Sequence, residues 1–167
     1  YVEALPGGSI YPLFRCNVLP AQADAEQITR AMTMGALWLL RQQGPDGAFA
    51  GTFAPAEETN APPERDMADH LRAVVALIQV ETLVRDEVVT KAVDRAITAA
   101  VSAMKEDLQR NFIHIPSKTD AASPSALLLT ALSLRALRDR APTATGRMRY
   151  LGNFLCVMTD RNGRVFA

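Results

Sequence analysis

Cysteine, histidine and tryptophan are scarce in this chain, and an excess of either charge is absent. The 167 residues include two cysteines, two histidines and one tryptophan, and Lys plus Arg equals Asp plus Glu at 18 each. A zero net charge gives no basic surface of the kind that binds nucleic acid, so we expect no nucleic-acid partner. Cys16 and Cys156 are too far apart in sequence to suggest a metal site or a redox pair. We therefore predict no metal and no cofactor.

Long apolar runs are also missing. Residues 126–134 form the longest strongly apolar run, and it is far shorter than the roughly 20 residues that span a bilayer. We expect no membrane span. The chain begins with Tyr1 and not with Met, which suggests a processed protein or a segment of a longer one, so both cytoplasmic and exported locations stay open. In an exported protein Cys16 and Cys156 could pair; otherwise Cys156, in an apolar helix, is expected to be buried.

Two segments near the ends of the chain share one pattern. Residues 24–50 and 147–167 each contain an apolar helix, then a turn with glycine, then an apolar residue. The turns are residues 45–47 and 160–163, followed by Phe49 and by Val165. A local unit that recurs in this way indicates a helical repeat.

Apolar residues at three- and four-residue spacing predict five helices. We expect the helices to begin near Asp24, Pro63, Glu87, Ser123 and Thr145 and to end near residues 44, 84, 109, 140 and 158. Asp24 and Gln27 have the spacing of a capping box. The fourth helix is apolar on nearly all sides and is expected to be buried on all sides. The connection at 85–86 is short, whereas residues 45–63 and 111–124 form long loops.

These features predict an all-α fold of antiparallel helical hairpins, with short extended segments in the loops. Long and short connections alternate, and each hairpin buries its apolar face by packing on the next. Residues 1–23 lack helical periodicity, and Pro12 assigns residues 9–18 to an edge strand or an extended arm. We therefore divide the chain into an extended N-terminal arm, residues 1–23, and a helical-hairpin repeat domain, residues 24–167.

The segment LWLLRQQGPDGAFAG, residues 37–51, resembles the repeat of prenyltransferases and squalene cyclases, in which a helix ends in Gln before Asp-Gly and an aromatic residue. The same segment is similar to parts of other α/α toroids, including polysaccharide lyases, glycoside hydrolases, uronyl epimerases and thioester-containing domains. The resemblance implies inner helices ringed by outer ones, with a site where long loops enter the inner helices. Five helices would form a partial toroid, an open half-barrel within a larger ring. The acid motif of terpene cyclases, the thioester motif and matching zinc ligands are absent from the sequence.

Candidate catalytic residues lie where the two long loops meet helices two and four. Asp66 and His70 are four residues apart and share a helix face, as an acid–base pair would. The alternative is a capping carboxylate beside a surface histidine. His114, Lys118 and Asp120 combine groups that suit proton abstraction or binding of an anionic sugar, and the alternative is a solvated loop.

Three further residues are candidates for substrate binding. Arg15 and Arg72 could hold an anionic group, although Arg72 also has the spacing of a surface ion pair with Asp69. Trp38 could stack on a sugar, although an aromatic residue at helical spacing is more often part of the core.

Three functions are compatible with this pattern. The first is part of an α/α-toroid enzyme that acts on a polysaccharide or a similar extended substrate at the loop end of the inner helices. The second is a non-catalytic helical-repeat module that binds a glycan or a protein partner, for example one that completes the toroid. The third is a relative of isoprenoid cyclases and transferases, which requires an aromatic-lined cavity, and the aromatic content is only 6%.

Overall fold

The structure is a computed structural model that describes residues 2–4, 10–14, 17–18, 24–49, 66–117, 120–139 and 145–165, with the main chain alone described in the first 23 residues. The chain divides into two compact units, residues 1–34 and residues 35–167. The described chain is mostly helical, so the prediction of an all-α fold is confirmed in this coarse form. Two small antiparallel sheets accompany the helices.

The first unit contains a three-stranded sheet and the beginning of a helix. The strands are β1 (Val2–Ala4), β2 (Ile10–Phe14) and β3 (Asn17–Val18), in the order β1-β2-β3. The assignment of the Pro12 segment to an edge strand is wrong, because β2 lies in the middle of this sheet. Pro12 is tolerated because β2 pairs with β1 through residues 10–12 and with β3 through residues 13–14, so neither neighbour pairs along the whole strand.

Helix α1 (Ala25–Gln42) begins with the capping box that the sequence predicts. The Gln27 amide donates to Asp24 Oδ1 at 2.7 Å, and the Asp24 amide donates to Gln27 Oε1 at 3.4 Å. Among the residues of α1 only Ala36 is buried, whereas Leu37 and Trp38 are 43% and 46% exposed. Along the predicted apolar stripe of α1, Ile28 is 49% exposed, whereas Leu39 and Leu40 are half-buried.

The second unit contains the end of α1, four further helices and one hairpin of two strands. In chain order they are α2 (Met67–Val84), α3 (Glu87–Ser102), β4 (Lys105–Asp107), β5 (Phe112–His114), α4 (Ala122–Asp139) and α5 (Thr145–Val157). Helices α2 and α4 pack side by side, α3 packs on α2, and α5 packs on α4 and β5. The core between them is formed by Leu71, Ala100, Ile113, Ile115, Leu128, Leu132 and Leu151.

The short connection between α2 and α3 is confirmed. Arg85 ends α2 in the left-handed conformation, with φ of 51°, and its amide donates to the Glu81 carbonyl at 3.0 Å. Asp86 then caps α3, because its side chain accepts from the Val88 amide at 2.7 Å. Two residues are therefore enough to reverse the chain, which places α2 and α3 in an antiparallel hairpin.

Three boundaries or faces differ from the prediction. Helix α2 begins at Met67 and not near Pro63, because Asp66 is its N-cap. Helix α3 ends at Ser102 and not near residue 109, because residues 105–107 pair with residues 112–114 in a hairpin. Helix α4 is not buried on all sides, since Leu137 near its C-terminus is 78% exposed.

Candidate functional site

Two turns of the same construction follow α1 and α5. The first turn, residues 43–49, contains a bridge between Gln43 and Phe49, and the last turn, residues 159–165, contains the corresponding bridge between Thr159 and Val165. One glycine in each turn has positive φ, 83° at Gly47 and 79° at Gly163. Matching amides make matching bonds: Gly47 to the Gly44 carbonyl and Gly163 to the Asp160 carbonyl, both at 3.0 Å. The repeated pattern at the two ends of the sequence is therefore a repeated local structure.

The first turn packs against α2 and α3 through His70. The Phe49 amide donates to His70 Nδ1 at 3.2 Å, and His70 Nε2 lies 3.0 Å from the Ala96 carbonyl oxygen. An amide can only donate and a carbonyl can only accept, so the ring carries its proton on Nε2 and is neutral. His70 is 3% exposed. Both of its nitrogens are thus bonded to the main chain.

A second polar side chain, Gln43, fixes the same turn to α3. Its Nε2 donates to the Ala92 carbonyl at 2.8 Å, and its Oε1 accepts from Arg95 Nη2 at 2.7 Å. Gly47 approaches α3 so closely that a Cβ at this position would lie 2.6 Å from the Arg95 carbonyl oxygen. The contact between the first turn and α3 therefore requires glycine at residue 47.

The contact made by His70 recurs one hairpin later at Ser125. The Ile115 amide, directly after β5, donates to Ser125 Oγ at 3.0 Å, and Ser125 Oγ donates to the Ala121 carbonyl at 2.7 Å. His70 is the fourth residue of α2 and Ser125 is the fourth residue of α4. We call this fourth residue the acceptor position and the amide that it binds the docking amide.

Ser125 is not among the site residues that the sequence predicts, whereas His70 is predicted there as a catalytic residue. The signal that identifies both is positional, since each is a polar residue four places into a helix that follows a turn or strand ending in an apolar residue. Ser125 is fully buried, although it lies in one of the most apolar segments of the chain. A buried hydroxyl needs a partner, and the docking amide is that partner.

Asp66 has the capping role that was its alternative to catalysis, although His70 beside it is buried and not at the surface. Asp120, for which the alternative was a solvated loop, accepts amides at the start of α4. Asp66 Oδ1 accepts from the Ala68 amide at 2.9 Å. Asp120 Oδ1 accepts from the amides of Ala122 and Ser123 at 2.9 and 3.1 Å. Hydrogen bonds from the Ser123 side chain and from these amides lower the pKa of Asp120 below its ordinary value.

His114 lies in β5 among aromatic rings. Its ring stacks on Phe154, with centroids 5.2 Å apart and planes 27° apart, and it meets the edge of Phe112 at 5.8 Å. The side chain is half-buried, and within the described chain its Nδ1 has no hydrogen-bond partner. His70 and His114 therefore belong to different contacts, His70 to the packing of the first turn and His114 to the packing of β5 on α5.

The remaining candidates are exposed or lie outside the described residues. Arg72 forms an exposed ion pair with Asp69, a contact that contributes under about 1 kcal/mol. Trp38 is exposed on α1 as stated above. Arg15 and Lys118 lie outside the described residues, so their proposed roles stay predictions. Cys156 is exposed, which contradicts the expectation of burial, and Cys16 also lies outside the described residues.

One small pocket lies beside the β4–β5 hairpin. It has a volume of about 140 Å³, and its lining includes Glu106, Asp107, Asn111 and Tyr150. Asp107 already accepts the amides of Gln109 and Arg110 in the hairpin turn, at 3.1 and 3.0 Å. The volume is below the roughly 300 Å³ at which small-molecule sites begin.

A buried charge cluster joins the C-terminal parts of α2 and α4. Glu81 is 2% exposed, and Arg135 Nη1 donates to both of its carboxylate oxygens at 3.1 Å. Arg138 also pairs with Glu81, and Arg135 reaches Asp94 of α3 at 2.5 Å. Burial raises the pKa of Glu81. Hydrogen bonds from Arg138 and Thr90 and the charge of Arg135 together lower it by a larger amount, so the pKa lies below its ordinary value.

A larger cleft of about 580 Å³ opens beside this cluster, lined by Glu81, Thr82, Arg85, Glu87, Thr90 and Arg138. The carboxylate of Glu81 faces arginines that neutralise it. These charge-assisted hydrogen bonds hold α2 and α4 together, and we call Glu81, Arg135 and Arg138 the clamp. The clamp was not foreseen in the sequence.

Neither comparison with known proteins nor the arrangement of metal-ligating side chains assigns a function to the described residues. No family model, curated protein or solved structure matches this chain. Within the described residues, no three His, Cys, Asp or Glu side chains lie close enough together to hold a metal ion. No helix in the described part of the chain combines the length and hydropathy that crossing a bilayer requires.

Proposed function

We propose that this protein is a non-catalytic helical-repeat module of the α/α-toroid class, and that it binds a protein partner. The observation that carries the proposal is the bonding of His70. Both ring nitrogens are bonded to the main chain, and Ser125 makes the equivalent contact one hairpin later. A histidine in this role holds the repeat together and leaves no nitrogen for proton transfer to a substrate.

The packing of the helices supports the class. Helices α2 and α4 pack on each other, α3 packs on α2, and α5 packs on α4. The proposed toroid would have α2 and α4 as inner helices and α3 and α5 as outer ones. The turns after α1 and α3 then lie at the end where chains enter α2 and α4.

Surface chemistry favours a protein partner over a glycan. Leu37 and Trp38 expose apolar area on α1, and Leu137 does so on α4. Exposed aromatic and aliphatic side chains are typical of protein interfaces. The pocket at the loop end, by contrast, is smaller than a sugar-binding site needs.

Photo-crosslinking tests the proposal. A photoreactive residue at Leu37, introduced into the chain expressed in its source cells, should crosslink to one protein identified by mass spectrometry. The same residue at Lys91, exposed on α3, is the matched control and should not crosslink to that protein. Purified partner and purified chain should then form a complex that Leu37→Glu weakens at least about tenfold, as loss of an apolar contact at an interface centre does.

An assay of polysaccharide turnover tests the opposite result, an enzymatic function. The chain is incubated with neutral and uronate polysaccharides, and new reducing ends or unsaturated products are measured. Turnover that disappears in a folded His114→Phe variant, together with no specific crosslink from Leu37, would overturn the proposal.

A polysaccharide-processing enzyme is the second candidate, and one observation favours it. His114 has a buried Nδ1 without a partner in the described chain, and the neighbouring pocket contains the carboxylates of Glu106 and Asp107. Two carboxylates are the groups that glycoside hydrolysis uses. The His114→Phe assay decides this candidate as well, because phenylalanine keeps the ring packing on Phe154 and removes the nitrogens.

A further inference from the structure

We propose that the cleft of about 580 Å³ beside the clamp binds a small organic anion, and that Arg85 holds the charged group of this ligand, a carboxylate or a phosphate monoester. The inference goes beyond the proposed function, because the ligand is a small molecule and not a protein. The cleft lies at the C-terminal end of α2, whereas His70 lies near the N-terminal end of the same helix. Three properties carry the inference: the size of the cleft, its charge and the main chain at Arg85.

The size of the cleft suits a small ligand. Small-molecule sites have volumes of roughly 300–1,000 Å³, so the cleft lies within this range, whereas the pocket beside the β4–β5 hairpin lies below it. The described lining of the cleft contains two hydroxyls that already donate, Thr82 to the Gln79 carbonyl at 2.6 Å and Thr90 to the Asp86 carbonyl at 3.2 Å. The charged side chains therefore decide which ligand the cleft can bind.

The carboxylates in the cleft are already neutralised. Glu81 is bound by the arginines of the clamp, and Glu87 pairs with Lys91 at 2.7 Å. Arg85 lines the same cleft, and its guanidinium forms no ion pair with any residue that the structure describes. Residues 140–144, which directly follow α4, contain no acidic residue that could neutralise it. The charge left over in the cleft is thus positive, and the planar N–H donors of an arginine match the oxygens of a carboxylate or a phosphate.

Arg85 also occupies a main-chain position that favours a different residue. Its φ is 51°, in the left-handed conformation at the C-terminus of α2. Glycine is the usual residue at such a helix end, because a residue with a Cβ is strained there. Asn111 is the other described non-glycine residue with positive φ, and asparagine visits this conformation readily. An exposed arginine is ordinary by itself, but an arginine in a strained position beside a cleft indicates a function for its side chain.

Titration with small anions tests the site. The isotope-labelled chain is titrated with inorganic phosphate, glycerol phosphate and succinate at constant ionic strength, and amide and guanidinium resonances are followed by NMR. We expect saturable shifts confined to the residues that line the cleft, and weaker binding when sodium chloride is added, because salt screens the attraction. Tighter binding of the two phosphates identifies a phosphate ester as the ligand class, whereas tighter binding of succinate identifies a carboxylate.

Arg85→Gly separates binding from folding. Glycine suits positive φ, so this variant should unfold at a temperature no lower than that of the unmodified chain. Its affinity for the preferred anion should fall at least about tenfold, because the charged donors are lost. Arg85→Lys keeps a charge without the planar donors and should have an intermediate affinity. Arg149→Gln, an exposed arginine of α5 outside the described lining, is the matched control for overall charge and should bind like the unmodified chain.

Several results would overturn the inference. One is the absence of saturable shifts with all three probes, and another is a set of shifts spread over the whole surface. An Arg85→Gly chain that binds as tightly as the unmodified chain is a third, and an equal loss of affinity in Arg149→Gln is a fourth. A lower unfolding temperature of Arg85→Gly would assign the arginine to the fold and would also overturn the inference. The crosslink from Leu37 on α1 tests the proposed function separately, and none of these results affects it.

Discussion

Alanine at Gly47 and at Gly163 separates the strain of a turn from the packing of that turn on its neighbour. Both glycines have nearly equal positive φ, 83° and 79°. An L-residue in this conformation costs about 1–2 kcal/mol, so both variants lose that amount. At Gly47 the new Cβ would also lie 2.6 Å from the Arg95 carbonyl oxygen and 2.8 Å from its carbonyl carbon, whereas at Gly163 nothing lies within 4 Å.

The extra contact sets the expected difference. Overpacking against main chain that cannot move freely costs about 1–3 kcal/mol. We therefore expect Gly47→Ala to lower the free energy of unfolding by about 2–5 kcal/mol, which is the conformational cost of about 1–2 plus the overpacking cost. Gly163→Ala should lower it by about 1–2 kcal/mol alone.

Urea unfolding followed by circular dichroism measures both values, and an unchanged slope with denaturant shows that the folded states are comparable. Gly146→Ala in α5 is the control and should stabilise the chain by up to about 1 kcal/mol, because it replaces glycine within a helix. Equal losses for the two turn variants, within about 0.5 kcal/mol, would refute the close packing of the first turn on α3.

Three other predictions concern the buried polar contacts. Ser125→Ala should destabilise the chain by about 1–3 kcal/mol because the Ile115 amide loses its partner, whereas Ser133→Ala, further along the same helix, should change stability by under about 0.5 kcal/mol. Glu81→Gln should cost about 1–3 kcal/mol, because both arginines lose this carboxylate but keep acidic partners on α3 and α4. The folded pKa of Glu81 is lowered, so its stabilisation should be complete above the unfolded pKa of about 4.3 and be lost as pH falls through the folded pKa.

The same unfolding assay checks all three. Equal effects of Ser125→Ala and Ser133→Ala would remove the acceptor position as a structural rule. A Glu81→Gln variant as stable as the unmodified chain would show that the clamp contributes little. If the acid dependence of stability were identical in Glu81→Gln and in the unmodified chain, the assignment of that dependence to Glu81 would be wrong.

Local features of the fold could be predicted from the sequence because a few neighbouring residues determine them. Asp24 and Gln27 form the expected capping box, and the Arg85-Asp86 connection is as short as expected. The repeated turns after α1 and α5 also follow from their glycines, since the left-handed conformation favours that residue. Each of these features depends on residues less than one turn of helix apart.

Features that depend on distant partners could not be predicted. The sequence predicts too long an α3 because Val101 and Met104 continue its apolar spacing. Nothing local shows that residues 105–107 pair with residues 112–114. The sequence suggests catalysis at His70 because histidine suits both proton transfer and buried hydrogen bonds. Only the positions of the Phe49 amide and the Ala96 carbonyl distinguish the structural role from the catalytic one. Glu81 and Arg135 are 54 residues apart, and no sequence period connects them.

The docking amide belongs to the main chain, which has a consequence for how such a chain can change over generations. The two turns share one main-chain structure with different sequences, Gly-Pro-Asp-Gly in one and Asp-Arg-Asn-Gly in the other. A gene segment that encodes one hairpin and its turn carries a donor at one end and an acceptor at the other. Copying that segment in tandem would lengthen the protein by a ready-made unit, with no fresh complementary surface to evolve.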